Sequence, residues 1–293
     1  MSYLDNRQVS FASSLATDLV FSDPVRTEED KDVWCQLLKL LQDLQRSHHS
    51  SLHGDYISGL EHLNISIFRI PSLSNLNEML SEVDWTAGYV NGMVDDRLYQ
   101  EMLAARVFPV ARHIRRKSSL LHSAAPDFVH DVIGHLPMLF SAQYRSLLND
   151  WARRALEARP EPCDAEVSSA LAALIEEREK DRPNPAEVAR KTKILKDLHQ
   201  LENASPSRAA RFSRFYTWAI EFGVISDSSD SLRIIGSAAL SSLAEFNRVM
   251  TRETRLLSFI DHAINTPVDY SVVQDTLFVA RDFSEYQRVL DSI

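Results

Sequence analysis

Apolar side chains recur every three or four positions along much of the chain, which is the spacing of amphipathic helices. Residues 27–52 show the pattern most clearly, with Thr27 as a candidate N-cap and Glu28 and Glu29 in the first turn. The apolar positions of this segment are Trp34, Leu37, Leu38, Leu41 and Leu44. The pattern predicts one long helix with a buried face.

The same spacing predicts further elements. A helix begins in IPSLSNLNEMLSEV with Ser74 as its cap. Residues 84–110 are mixed, and within them YVNGMVDDRLYQEMLAARVFPV is predicted to form a turn, a helix and a short strand. Helix returns from about residue 126, and RFYTWAIEFGVI and SAALSSLAEFNRVM are each predicted to form one helix. DTLFVARDFSEYQRVL predicts a short strand followed by a helix. We therefore expect a mainly α fold with a few short β-strands, forming a single domain over residues 1–293.

Composition and charge narrow the class of protein. Hydrophobic residues make up 44% of the 293 residues, and the net charge of −9 argues against nucleic acid or an anionic membrane as the main partner. The two cysteines, Cys35 and Cys163, lie far apart, so a disulfide scaffold is not expected. We see neither a secretory signal in the N-terminal segment nor an apolar run of about 20 residues, and therefore expect a cytoplasmic protein.

The stretch APDFVHDVIGHLPMLF places His130 and His135 in an apolar setting, where unpaired imidazoles are costly to bury. On an ideal α-helix, at about 100° per residue, positions five apart lie on different faces. The two rings converge if the helix ends between them, and Gly134 and Pro137 supply such an end. The sequence therefore predicts a pair of metal ligands at a helix terminus, with a pair of core histidines as the alternative.

Glu221 is the leading candidate for a third ligand, because YTWAIEFGV buries its carboxylate among apolar and aromatic neighbours. No cysteine lies nearby in the sequence to complete a closed zinc site. Two histidines and one carboxylate on one face of a metal are the ligands of non-haem Fe(II) oxygenases. A zinc hydrolase and a non-catalytic site are the alternatives to this hypothesis.

Three motifs in order resemble the pterin-dependent aromatic amino acid hydroxylases, in their short bacterial phenylalanine-hydroxylase-like form. PDFVHDVIGHLP matches the family signature Pro-Asp-x-x-His-[Glu/Asp]-x-x-Gly-His-x-Pro in full. YTWAIEFG matches a Tyr followed by Glu-Phe-Gly, and GSAALSSLAE ends in Ser-Ser-x-x-Glu. The resemblance spans about residues 30–290, apart from 146–210, and implies the fold of the family's catalytic domain.

The resemblance also implies roles for single residues. His130, His135 and Glu221 would ligate Fe(II), and Asp131 and Tyr216 are the candidate catalytic residues near the pterin and the iron. Arg115, supported by Asp127, would bind the substrate carboxylate, and Ser241 would hydrogen-bond the ring of a ligand histidine. The substrate-binding set is Arg115, Ser123, Asp127, Thr217 and Ser241. The pterin-binding set is Val94, Tyr99 and Asp131.

The implied activity is that of an Fe(II), tetrahydropterin-dependent monooxygenase that uses O2 to hydroxylate the ring of phenylalanine, tyrosine or tryptophan. The departures from the family pattern lie in the substrate pocket. Ser-Ala-Ala at 123–125 stands where the family has Thr-Pro-Glu, Thr217 replaces a usual Trp, and Tyr99 a frequent Phe. These changes predict an altered aromatic substrate or ring attack at a non-para position. A metal-dependent hydrolase, or a non-catalytic relative that binds an aromatic ligand, is the alternative.

Residues 146–210 are longer than the family's connection between its second histidine and its glutamate, and they predict a charged helical insertion. Their interspersed charges favour a solvated helical hairpin, and a lid or a dimerisation element is the alternative. The chain stops soon after RDFSEYQRVL, without the heptad tail of animal relatives or room for an N-terminal regulatory domain. We therefore expect a monomer or homodimer without allostery driven by amino acids.

Overall fold

The computed structural model describes residues 19–20, 22–91, 94–226, 231–269 and 271–293. The N-terminal segment inspected for a secretory signal lies outside these residues, apart from its strand at 19–20. Helices dominate and the strands are short, which confirms the predicted mainly α class. No helix of the described residues combines the length and the apolar character needed to cross a membrane.

The α-helices are distributed along the described part of the chain, from residue 28 to residue 291. They are α1 (Glu28–Ser47), α2 (Gly54–Leu63), α3 (Leu73–Leu80), α4 (Asp96–Ala104), α5 (Ala142–Glu157), α6 (Pro162–Arg178), α7 (Pro185–Ala204), α8 (Arg208–Tyr216), α9 (Ser237–Ser241), α10 (Leu243–Met250), α11 (Phe259–His262) and α12 (Phe283–Asp291). Two π-helical turns, π1 (His130–His135) and π2 (Thr217–Glu221), interrupt this series. Short 3₁₀ turns cover His49–Ser51, Ser81–Val83, Lys117–Ser119, Leu136–Phe140 and Ala263–Asn265.

The strands form two small sheets. They are β1 (Leu19–Val20), β2 (Thr86–Val90), β3 (Val107–Ala111), β4 (Val224–Ser226), β5 (Leu232–Ile234), β6 (Arg255–Ser258) and β7 (Thr276–Ala280). In the first sheet, with order β1-β2-β3, β2 is antiparallel to β1 and parallel to β3. In the second, with order β5-β4-β7-β6, β7 is parallel to both of its neighbours and β5 is antiparallel to β4.

Helix α1 has the N-terminus that the pattern predicts. Thr27 Oγ1 accepts a hydrogen bond from Asp30 N at 3.1 Å, and Asp30 Oδ2 accepts one from Thr27 N at 2.7 Å, which is a capping box. The buried face includes Trp34, which is 1% exposed and donates its Nε1–H to Ser66 O at 3.0 Å. Truncation of such a buried indole costs about 3–5 kcal/mol, so this face anchors α1 to the core.

The prediction that Ser74 caps the next helix is wrong. Ser72 caps α3, because its Oγ accepts from Asn75 N at 3.1 Å while Asn75 Oδ1 accepts from Ser72 N at 3.4 Å. Ser74 lies inside the first turn. Both serines suit a cap, and the reciprocal bond with Asn75 decides between them.

The prediction for residues 84–110 misses a strand. TAGYV forms β2, of which only Tyr89 and Val90 fall in the predicted turn, because all five residues pair with β3 and Asn77 binds both backbone groups of Ala87, at 2.6 and 3.1 Å. The helix and the second strand of this segment are present as α4 and β3. Long-range pairing therefore overrides the weak strand preference of Ala87 and Gly88.

Two segments predicted as single helices are broken. SAALSSLAEFNRVM divides into α9 and α10, because Ser242 is extended and its Oγ accepts from Glu245 N at 3.3 Å to start a new helix. RFYTWAIEFGVI contains the end of α8, the turn π2 and the start of β4. The terminal strand and helix, β7 and α12, are confirmed.

Residues 146–210 comprise most of α5, the helices α6 and α7 and the start of α8. Helix α5 packs into the main core, where Leu148 and Trp151 are buried. Helices α6 and α7 pack against each other around a small apolar cluster of their own. The bounds of an insertion stay a prediction.

Candidate metal centre

The turn π1 carries both histidines for which the sequence predicts metal ligation. Its backbone closes from Leu136 N to Asp131 O, five residues back, so residues five apart lie above one another. His130 and His135 thus face the same side, with ring centroids 4.9 Å apart. The predicted helix end between them is wrong, because the chain continues through π1 into the 3₁₀ turn that contains Pro137.

Gly134 has a packing role instead of a terminating one. A Cβ on this residue would lie 2.6 Å from Ser237 O and 2.9 Å from Ser237 Cβ. Any larger residue would therefore separate π1 from α9. This close approach brings two serines of α9, one helical turn apart, to the site: Ser241 reaches the His130 ring and Ser237 the Glu221 carboxylate.

Glu221 ends π2, in which Phe222 N donates to Thr217 O at 3.0 Å. Its Oε1 lies 3.1 Å from His135 Nε2, its Oε2 lies 3.2 Å from His130 Nε2, and the two Nε2 atoms are 3.2 Å apart. Three donors at about 2.1 Å on one face of an octahedral ion are about 3.0 Å apart, against about 3.4 Å around a tetrahedral ion. The observed distances of 3.1–3.2 Å lie between these two values, so the two imidazoles and the carboxylate are close enough to bind one ion.

Ser241 fixes the tautomer of His130. The Ser241 hydroxyl donates to Ser237 O at 2.6 Å, so at 3.0 Å from His130 Nδ1 its oxygen acts as the acceptor. His130 therefore carries its proton on Nδ1 and keeps the Nε2 lone pair for a ligand. This arrangement orients the ring as metal-binding histidines require.

Two residues at the site were not found from the sequence. The Ser237 hydroxyl donates to Glu221 Oε2 at 2.6 Å, and the Tyr144 hydroxyl lies 3.3 Å from His135 Nδ1. Ser237 precedes Ser241 by four positions, so its place on the same helix face could have indicated it. Tyr144 comes from α5, and no local pattern marks it.

The electrostatics of the three groups suit a cation. Burial acts to raise the pKa of Glu221, but the imidazoles of His135 and His130 hold it well below its usual range. Burial lowers the pKa of His135, while Glu221 raises the pKa of His130 against the effect of burial. The side chains thus provide a carboxylate anion and a neutral imidazole around a point where positive charge is stabilised.

Arg115 and Asp127 form a buried ion pair, with side chains 2% and 0% exposed. Asp127 Oδ1 accepts from Arg115 Nη2 at 2.6 Å, and Oδ2 accepts from Nε at 3.1 Å and from the backbone N at 2.8 Å. Burial acts to raise the pKa of Asp127, but Arg115 brings it to about 2. Arg115 Nη1 is buried and finds no hydrogen-bond partner among the described residues.

Asp131 lies between the candidate metal ligands and the first sheet. Its Oδ2 accepts from Ala111 N at 2.7 Å, and burial raises the pKa of its carboxyl to about 7. His130, Asp131 and His135 place ligand atoms within 4.8 Å of one another. The carboxylate of Glu221 nevertheless contacts both imidazoles directly, so the donor set of two histidines and Glu221 fits a divalent cation better.

Tyr99 and Tyr216 meet beside the donor triangle. Their hydroxyls share a short hydrogen bond, and their rings pack edge to face with centroids 5.5 Å apart. Burial raises the pKa of both phenols well above the usual value. Val94 lies further out, in a small apolar cluster around Met102.

The remaining predicted residues differ in how their hydroxyls are used. The Thr217 hydroxyl donates to Ser213 O at 3.1 Å, within its own helix. The Ser123 hydroxyl is buried and has no partner in the described part of the chain. Ser123 and Arg115 thus each keep an unused polar atom, whereas Thr217 contributes mainly its small volume.

This fold and donor set define a candidate mononuclear metal enzyme of the mainly α class. Residues 8–162 match the family model described as biopterin-dependent aromatic amino acid hydroxylase. The chain belongs to this family, which confirms the resemblance, and it is an enzyme of the aromatic amino acid monooxygenase class.

Known proteins are similar to this chain in sequence and in fold. The chain is 26% identical over 272 residues to phenylalanine-4-hydroxylase of Caulobacter vibrioides, covering 91% of the chain and 72% of the relative. It superposes with a TM-score of 0.69 on phenylalanine hydroxylase of Legionella pneumophila, at 20% identity, covering 94% of this chain and 92% of that one. A phenylalanine hydroxylase of Chromobacterium violaceum, solved with iron(III) and 7,8-dihydrobiopterin, gives 0.68 at 22% identity, with coverage of 93% and 83%.

Proposed function

We propose that this protein is a non-haem Fe(II), tetrahydropterin-dependent monooxygenase that hydroxylates the ring of an aromatic amino acid. The observation that supports it most is the triangle of His130 Nε2, His135 Nε2 and the Glu221 carboxylate, with edges of 3.1–3.2 Å. Such a triangle suits three ligands on one face of a ferrous ion, with the opposite positions open for reactants.

Iron is favoured over zinc because the chain belongs to the biopterin-dependent aromatic amino acid hydroxylase family, and two histidines with one carboxylate are the ligands of non-haem Fe(II) oxygenases. The iron and the dihydrobiopterin held by the Chromobacterium violaceum enzyme support the same two cofactors here. When bound, iron and tetrahydropterin would supply the electrons that activate O2 for insertion of one oxygen atom into the ring.

The chain's own residues would hold these groups in place. Ser241 keeps His130 in the tautomer that binds metal, and Ser237 restrains Glu221. Val94, Tyr99 and Asp131 are proposed to contact the pterin, with the Tyr99 ring as a stacking surface. Tyr216, hydrogen-bonded to Tyr99, would border the reacting groups near the iron.

The charged end of the amino acid is proposed to bind at Arg115. Its Nη1 is buried and unpaired within the described residues, and a buried guanidinium N–H without an acceptor is costly. A substrate carboxylate would satisfy it, while Asp127 holds the other side of the guanidinium. The Ser123 hydroxyl, also unused, would extend the same contact.

The residues that the resemblance assigns to the ring pocket support a broad set of aromatic substrates. Thr217, where the family usually has Trp, is small, and the neighbouring Tyr216 ring packs against Trp151 with centroids 4.5 Å apart. We propose phenylalanine, tyrosine or tryptophan as substrate, with attack at a non-para position if the ring enters in a shifted orientation.

We further propose a cytoplasmic monomer or homodimer. Cys35 and Cys163 are free thiols, as expected in a reducing compartment. Residues 1–293 are proposed to act as one catalytic domain, with the segment at about 146–210 as an insertion.

The test is anaerobic reconstitution with Fe(II), followed by tetrahydropterin, O2 and each of the three amino acids. We expect one iron per chain and a hydroxylated product whose ring position is read by NMR. His130→Ala should abolish turnover, while His49→Ala, at an exposed histidine, should not. Activity restored by Zn(II) alone would instead favour a hydrolase, and full function of His130→Ala a non-catalytic binding protein.

A further inference from the structure

Helices α6 and α7 pack against the loop that precedes the candidate metal site. Their small apolar cluster consists of Leu171, Leu174, Ile175 and Leu195, with Val167, Ala170 and Val188 at its edge. Ala125 packs against this cluster from outside the hairpin. Ala125 lies two residues before Asp127, the partner of Arg115, so the hairpin touches the segment proposed to bind substrate.

The end of α6 makes polar contacts with the same loop, here the substrate loop, residues 116–126. Glu179, half-buried just after α6, accepts from the backbone N–H of Ala124 at 3.0 Å through Oε1. Arg116 pairs with Asp181, but these side chains are 53% and 83% exposed, so that pair contributes little. Glu179 is therefore the main polar contact between α6 and the loop, whose Leu121 O is held separately by Ala244 N at 3.1 Å.

A third contact links α6 to His122 of the loop through Ser271. The Arg178 guanidinium donates to the Ser271 hydroxyl and lies 3.5 Å from Asp269 Oδ2. Ser271 O accepts in turn from His122 Nε2 at 3.4 Å. At its other end α6 reaches helix α4, where Ser168 Oγ lies 3.5 Å from Asp96 Oδ2.

These contacts set the tautomer of His122 and leave one of its ring nitrogens available to a ligand. Because Nε2 donates to Ser271 O, the neutral ring presents a lone pair on Nδ1. Burial lowers the pKa of His122, which favours this neutral form. Nδ1 is buried without a partner in the described residues, as are Ser123 Oγ and Arg115 Nη1. The charge of Arg115 also acts to lower the pKa of His122, so the two groups interact electrostatically. A hydrogen-bond acceptor on His122 and a cationic donor on Arg115 match the ammonium and the carboxylate of an amino acid.

We propose that the α6–α7 hairpin positions the substrate loop through Glu179 and Arg178, so that His122 Nδ1 accepts a hydrogen bond from the α-ammonium group of the amino acid bound at Arg115. The inference rests on the proposed function for the identity of the ligand. Glu179 and Arg178 act as positioning residues, and His122 contacts the substrate. The hairpin is thus a working part of the binding site rather than a solvated appendage.

The first test measures the tether without any turnover. Limited trypsin digestion of the full chain reports cleavage after Arg116 and Lys117, which are exposed in the substrate loop. Glu179→Ala should raise this cleavage rate about 5- to 10-fold, the effect of losing one hydrogen bond, and Glu179→Gln, which retains an acceptor, should stay near wild type. Glu176→Ala, an exposed carboxylate on the same helix, is the matched control. Equal cleavage of Glu179→Ala and the control would overturn the tether.

The second test measures binding by calorimetry under anaerobic conditions. The probes are the best-binding aromatic amino acid of the three and its analogue that lacks the α-ammonium group. Because one hydrogen bond is lost, His122→Leu should raise the Kd of the amino acid about 10-fold and leave the Kd of the analogue unchanged. Glu179→Ala should also raise the Kd of the amino acid, by a factor similar to its increase in the trypsin cleavage rate. Equal losses for both probes, or no binding by wild type, would overturn the role of His122. Binding as expected without hydroxylation would reject only the proposed function.

Discussion

Asp127→Asn tests the buried ion pair that underlies the proposed substrate site. The substitution keeps the volume of the side chain but removes the charge that faces Arg115, whose side chain is 2% exposed. Asp127 also accepts three hydrogen bonds from Arg115, at 2.6–3.1 Å, and one from His130 N at 3.0 Å. Breaking a buried pair from one side costs about 3–5 kcal/mol, because the remaining charge stays buried and unpaired.

The retained amide oxygen of asparagine can still accept a hydrogen bond, so we expect the lower end of this range, about 3 kcal/mol. Urea unfolding of the two proteins at pH 7 measures this loss, and the Kd of the amino acid should rise because Arg115 is no longer held. Asp43→Asn is the control, since the pair of Asp43 with Arg46 is 70% and 72% exposed and contributes less than about 1 kcal/mol. A loss for Asp127→Asn no larger than that of the control would refute the reasoning.

Three further predictions concern single contacts. Ser241→Ala should weaken Fe(II) binding about 10- to 100-fold in a chelator competition, because His130 loses the acceptor that sets its tautomer, and an unchanged affinity would remove that role. Tyr99→Phe should lower the free energy of unfolding by about 1–3 kcal/mol, because the Tyr216 hydroxyl loses its partner. In urea unfolding, the double variant Tyr99→Phe/Tyr216→Phe should lose less stability than the sum of the two single variants. The hydrogen bond from Lys180 lowers the pKa of Glu177 to about 2. The ionised Glu177 therefore stabilises the fold above pH 4.5, and this stabilisation is lost as the pH falls towards 2. Glu177→Gln should unfold more easily at pH 7 and lose less stability on acidification, and parallel acid unfolding curves would contradict this assignment.

The sequence predicted the three candidate ligands because each is a polar group in an apolar segment, and such groups need a partner when they are buried. It did not predict how His130 and His135 converge. An α-turn and a π-turn differ by one residue in their backbone hydrogen bond, and the apolar pattern of FVHDVIGHL does not distinguish them. The role of Gly134 was misjudged for a related reason, since its contact with Ser237 depends on a segment a hundred positions away.

The same limit applies to other parts of the fold. Strand β2 is held by pairing with β3 and by Asn77, neither of which shows in the local composition of TAGYV. Tyr144 reaches His135 from α5, the helix that follows the 3₁₀ turn Leu136–Phe140, and the sequence around Tyr144 does not mark this contact. The N-terminus of α1 and the presence of α12, which depend on local patterns, were predicted, whereas α1 ends at Ser47 rather than at residue 52.

The account as a whole depends on Glu221 completing a ferrous site with the two histidines. The most direct measurement is the iron content of the anaerobically reconstituted protein, together with pterin-coupled hydroxylation, for wild type and Glu221→Ala. We predict one iron per chain and ring hydroxylation for wild type, and loss of both in the variant. Stoichiometric iron and undiminished hydroxylation in Glu221→Ala would contradict the account.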